Sequence, residues 1–148
     1  MLETLQNLFN GTGRNRTDSV HDVKSFNLLL RKERARADRQ NTSWALVVFD
    51  VDRRNGNQET LEILISVIVS RIRQSDSLGW ISDSGLCIFL SDTAADGARK
   101  LLADISRNMS QRAPCPANKI YLYPSGLFPE FFSQNMMRKE GERVVTGV

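Results

Sequence analysis

The sequence predicts an α+β sandwich, a central sheet containing antiparallel strands and flanked by helices. Three observations carry this expectation. Apolar residues recur at helical spacing in three separate segments; a continuous run of strand formers stands between the first two; and a short polar, glycine-containing connection joins two further apolar runs. At 148 residues the chain is long enough for one domain with a proper core, and its 41% hydrophobic and 25% charged residues exclude wholesale disorder.

Residues 1–18 read as an arm and linker, because Leu2, Leu5, Leu8 and Phe9 give way to Gly11, Gly13 and a polar run. From Ser19 the spacing predicts one long amphipathic helix, with Val23, Phe26, Leu29, Leu30 and Ala37 inward, stopped by Asn41 and Thr42. Trp44 to Phe49 reads as a central strand buried on both faces and ending at Asp50. The polar stretch Asp52 to Asn57 leads to a second helix carrying Leu61, Leu64, Ile65, Ile68 and Ile72. Ser82-Asp83-Ser84-Gly85 is of hairpin length between strands around Leu78, Trp80 and Leu86 to Leu90. Asp92 and Thr93 are the expected N-caps of a third helix with Ala98, Leu101, Leu102, Ile105 and Met109 on one face, and Lys119 to Tyr123 alternates as a last strand. The segment 126–148 carries Leu127, Phe128, Phe131, Phe132, Met136 and Met137, which is expected to pack on the domain or on a partner.

The net charge of +3 is too small for a general nucleic-acid binder, and its cations gather in the first helix as Arg31, Lys32, Arg34, Arg36 and Arg39. That run suits either a solvated face, the favoured reading, or a phosphate-bearing partner or anionic membrane surface. Cys87 and Cys115 have no partner at metal-ligand spacing. With no signal-peptide pattern and no apolar stretch of membrane-spanning length, the expected location is the cytoplasm. His21 has no nucleophile motif around it, and Trp44 and Trp80 read as core aromatics.

The order helix, strand, helix, hairpin, helix, strand is that of a ferredoxin-like sandwich. In sequence, too, its pieces resemble the bacterial GGDEF domain, a nucleotidyl-cyclase-like fold. The first helix with Phe26, Leu29 and Arg36-Ala-Asp-Arg39 is similar to that family's first helix, and Leu46-Val-Val-Phe-Asp50-Val-Asp52 to its metal-bearing Asp-Ile-Asp strand end. Arg73-Gln-Ser-Asp76 stands at the place of its Arg-x-x-Asp inhibitory motif, and Phe89-Leu-Ser-Asp-Thr93 resembles its Leu-Leu-Pro-x-Thr. The likeness covers roughly residues 20–125, which sets the expected domain at 19–125.

The resemblance also implies what is missing. The signature Gly-Gly-Asp-Glu-Phe falls on Ser82, Asp83, Ser84, Gly85 and Leu86, so the metal-binding acid is replaced by Gly85 and Asp83 stands where a phosphate needs a glycine. A Lys-x-x-Asn-Asp stretch that reads guanine is absent, because Asp52 to Asn57 crosses directly to the next helix. Asp50 and Asp52 are not expected to chelate one ion between them. For Asp50 a vestigial Mg²⁺ ligand competes with a strand-end carboxylate bonded to the following turn, and the second is favoured.

Arg73 and Asp76 suit a guanine nucleotide, since the guanidinium can fork onto O6 and N7 and the carboxylate can accept from N1 and N2. Against this stands a structural pairing at a helix end. The expectation is a catalytically inactive regulatory or protein-interaction domain without cofactor, acting as a homodimer or with a protein partner. The alternative is a cyclic di-GMP receptor through Arg73 and Asp76, and an active cyclase comes last.

Overall fold

A computed structural model describes residues 19–124; the expected arm over 1–18 and the apolar segment over 126–148 lie outside the described residues. The elements run β1 (Val20–His21), α1 (Val23–Gln40), β2 (Trp44–Asp50), α2 (Gln58–Arg71), β3 (Ser77–Ser82), β4 (Gly85–Ser91), α3 (Ala95–Met109) and β5 (Asn118–Tyr123). The sheet order is β1-β3-β4-β2-β5, with β1 parallel to β3 and every other neighbouring pair antiparallel. The predicted sandwich is the observed one.

Period-two alternation in the strands builds two cores, one on each face of the sheet. Ala45, Val47 and Phe49 of β2 and Leu86, Ile88 and Leu90 of β4 pack with α2 and α3, around the fully buried Leu64, Ile68, Ile105 and Met109. Trp44, Leu46, Cys87 and Phe89 face the other way, against Phe26, Leu30 and Ala37 of α1. Each such fully buried aliphatic side chain contributes about 2 kcal/mol. Among the described residues, two helices therefore cover one face and α1 alone the other. α1 crosses so close to β3 that a Cβ on Gly79 would lie 2.9 Å from Phe26 Cβ and closer still to its ring.

Three local expectations are corrected. The first helix starts at Val23, not Ser19, because Val20 and His21 pair with Leu78 and Gly79 and the Asp22 carboxylate accepts from Ser25 N at 2.8 Å as the N-cap. The third helix is capped by neither Asp92 nor Thr93: Ala94 is the N-cap, Asp92 takes a left-handed φ of 48°, and the Thr93 hydroxyl turns back to the Ser91 carbonyl. Asp52 does not lie on a strand, since β2 ends at Asp50. At the other end of α1, Asn41 closes the helix as expected, in the left-handed conformation at φ 56°.

Candidate functional site

β2 and the β3–β4 hairpin end side by side, with Asp50 directly opposite Gly85 in the ladder. This brings the aligned signature positions and the strand-end carboxylate together. Ser82 closes β3, Asp83 and Ser84 form the two-residue turn, and Gly85 and Leu86 open β4. Asp50 is exposed, and on its two sides lie clefts of about 330 Å³ and 370 Å³. The first is bordered by Val48, Ile81, Ser84, Gly85, Lys119 and Tyr121.

The loop between β2 and α2 folds over the hairpin and takes up its backbone. Val51 N donates to the Ser84 carbonyl at 3.2 Å and Arg53 N to the Asp83 carbonyl at 2.8 Å. The Arg54 guanidinium stands 3.6 Å from the Asp83 carboxylate, and the Arg53 guanidinium lies over the buried Trp80 ring, 5.3 Å from its centroid. Neither arginine stands out in the sequence; the short loop between the Asp50 and Gln58 ends, too brief for another helix, is the signal that it must cross the hairpin.

Asp52 works inside the same loop. Its Oδ1 accepts from Arg54 N and Asn55 N, both at 2.9 Å, and these backbone donors, Asn55 first, hold its carboxyl below the ordinary value of 3.8. Gly56 N reaches the Asp52 carbonyl at 3.1 Å, so tightly that a Cβ at 56 would stand 2.5 Å from that oxygen. A divalent cation does not fit this donor set. Asp50 offers one exposed carboxylate, Asp52 is turned into its own turn, and Gly85 has no side chain to give. Among the described residues no three His, Cys, Asp or Glu side chains gather closely enough to share a metal.

At the opposite end of β3 from the hairpin turn, Arg73 and Asp76 meet as their spacing suggests. The Asp76 side chain is only 2% exposed and accepts from Arg73 N at 2.8 Å, Arg73 Nε at 3.2 Å, Arg73 Nη2 at 3.1 Å and Ser91 N at 3.2 Å. Arg73 Nη2 also reaches the Ser91 carbonyl at 2.8 Å and Thr93 Oγ1 at 2.9 Å. Hydrogen bonding to Asp76 raises the Arg73 guanidinium further above its ordinary value. The pair thus ties the end of α2 to the β4–α3 junction, beside a cleft of about 360 Å³ that Arg71, Thr93 and Gly97 also border.

No protein-family model matches the chain. No curated protein matches it either. Solved structures do match in shape. A DGC protein from Thermotoga maritima superposes with a TM-score of 0.66 at 18% identity, over 84% of this chain and 98% of that one. The GGDEF domain of DgcB from Caulobacter crescentus, in complex with c-di-GMP, gives 0.66 at 17% identity, over 94% and 96%. The fold is that of a GGDEF domain. Diguanylate cyclase SiaD from Pseudomonas aeruginosa, in complex with its activator SiaC, gives 0.53 at 16% identity over 68% of this chain and 44% of that one. Identities this low establish the GGDEF fold alone, and function lives in the site.

Proposed function

We propose that this GGDEF-fold domain has no diguanylate cyclase activity and serves in bacterial signalling as a regulatory module that binds other proteins. The observation that carries the reading is the closed hairpin. The backbone carbonyls of Asp83 and Ser84 are engaged by Arg53 and Val51, and the Asp83 carboxylate faces Arg54. A phosphate approaching this turn would find the carbonyl side closed by the loop and would meet the Asp83 carboxylate, which repels it. Joining two nucleotides requires a metal-held phosphate and an activated hydroxyl, and Asp50 with Gly85 is a poor set for either task. SiaD, which shares the fold, is seen with an activator protein, and that precedent favours protein contacts as the surviving role.

The test is incubation of the full chain with GTP and Mg²⁺ or Mn²⁺, with products separated by chromatography. The expected result is unchanged GTP. Formation of cyclic di-GMP above a no-protein blank would overturn the proposal.

A second reading, reception of cyclic di-GMP, is favoured by one feature: Arg73 keeps 57% of its side chain exposed while bordering the cleft it shares with Arg71. DgcB, of the same fold, is seen with that ligand. Removing both Arg73 and Asp76 is a poor test, because Asp76 is a buried anchor. Calorimetry with cyclic di-GMP on the native chain and on Arg73→Lys, which keeps charge but loses the fork, separates binding from folding. Micromolar affinity that the lysine variant lowers tenfold or more would establish the receptor; no heat on the native chain would remove it.

A further inference from the structure

We propose that the outer face of α1 is a docking strip for an anionic lipid surface, holding the domain against a membrane by charge. The helix contains six cations and two acids, a net +4 against +3 for the whole chain, so the rest of the chain is close to neutral. At 3.6 residues per turn, Lys24, Leu28, Arg31, Lys32, Ala35 and Arg39 fall in one stripe about 100° wide, opposite the buried Phe26, Leu30 and Ala37. All but the half-buried Arg31 are exposed. From Lys24 to Arg39 the stripe is about 22 Å long, and among the described residues no other helix shares this face of the sheet.

Neither acid of the helix pairs with Lys24, Lys32 or Arg39. Glu33 holds Arg36 at 2.9 Å along the helix flank, and Asp38 accepts from the Tyr123 hydroxyl at 2.7 Å. The other side of the molecule is built differently. There the cations are interlaced with acids, Arg71 and Arg107 with Asp104, and Arg99 with Asp96. A merely solvated helix has the second pattern, mixed signs at three- and four-residue spacing. α1 has a single-sign row.

The occupant follows from what the stripe lacks. The core of a protein interface is enriched in apolar and aromatic residues, and on this stripe Leu28, 48% exposed, is the one large hydrophobic side chain. A second copy of this helix would be repelled. A planar anionic bilayer asks only for long cationic side chains in one row on a convex ridge, with an isolated leucine to dip between headgroups. Whether the hairpin turns over nucleotide has no bearing on this.

The test is cosedimentation of the full chain with phosphatidylcholine vesicles, with and without about one third phosphatidylglycerol. Binding is expected only with the anionic lipid and is expected to vanish near 0.5 M salt, where screening shortens to a few ångströms. The variant Lys24→Gln, Lys32→Gln, Arg39→Gln is expected to lower the partition coefficient roughly a hundredfold. Because these side chains are exposed, its circular-dichroism melt is expected to match the native one. The charge-matched variant Arg99→Gln, Lys100→Gln, Arg107→Gln, on the opposite side, is expected to bind like the native chain. Equal loss in both variants, no binding to anionic vesicles, or tighter binding to duplex DNA or polyglutamate in the same buffer would overturn the proposal.

Discussion

The Arg73 guanidinium grips the buried Asp76 carboxylate side-on, Nε to Oδ2 at 3.2 Å and Nη2 to Oδ1 at 3.1 Å, while the same carboxylate receives the backbone N–H of both Arg73 and Ser91. The pair that stands at the place of a ligand motif in sequence anchors the start of β3 to the end of β4. Asp76→Ala leaves two backbone donors and a cation without their acceptor in a nearly closed site. The expected loss is about 3 kcal/mol or more, or a fall in melting temperature on the order of 10 °C. Urea denaturation measures it, and a loss below about 1 kcal/mol would show that water replaces the carboxylate.

Two exposed aspartates contribute to the acid sensitivity of the fold by a shared device. Backbone donors hold both carboxyls below 3.8: chiefly Ser25 N for Asp22, and Asn55 N then Arg54 N for Asp52. In each case the unfolded chain binds its proton at higher pH than the folded one. The contribution is therefore fully present above pH 3.8 and is lost as pH falls through the depressed folded value. Asp22→Asn with Asp52→Asn is expected to flatten the decline of the denaturation midpoint below about pH 4, since an amide still caps but does not titrate. A decline as steep as in the native chain would place the acid sensitivity elsewhere.

The two cysteines should separate cleanly by reactivity. Cys87 faces α1 from the middle of β4 and is fully buried, which pushes its thiol well above the ordinary value of 9.0. Cys115 is half-buried at the edge of a cleft, with its sulfur 3.4 Å from Ser106 Oγ. A thiol reagent at pH 8 is expected to modify Cys115 in the native protein and Cys87 only after unfolding. Rapid modification of both would mean that β4 opens locally, which its place inside the sheet opposes.

What the sequence disclosed tracks how local each cause is. The apolar run before Asp50 and the periodicity of Leu61 to Ile68 dictated β2 and α2, because burial on both faces and on one helical stripe leave direct marks on residue order. The start of α1 was misplaced because Val20 and His21 are set by partners in β3, more than fifty residues away. The α3 cap was misplaced because Thr93 Oγ1 is drawn to Arg73 and to the Ser91 carbonyl, a tertiary competition that no N-cap preference encodes. At the site, the Arg73–Asp76 spacing was legible. The role of Arg53 and Arg54 was not, since it depends on where a loop lands.

On the proposed reading, in which Gly85 stands at the place of a metal-binding acid, the hairpin also opposes the introduction of one. A Cβ at Gly85 would stand 2.8 Å from Ile81 Cγ1, 3.1 Å from Ile81 Cδ1 and 3.2 Å from Ser82 Oγ. Ile81 is itself 2% exposed in the core beneath α1, so it cannot swing aside without opening a gap. Gly85→Glu is therefore expected to cost about 1–3 kcal/mol in urea denaturation and to leave GTP unconverted, because the carbonyls of Asp83 and Ser84 stay engaged by the loop above them. On the proposed reading, an acid at this position does not by itself make a phosphate cradle. Cyclic di-GMP formed by this single variant would show that the hairpin had lost only its metal ligand, and that the closed loop is no obstacle to nucleotide.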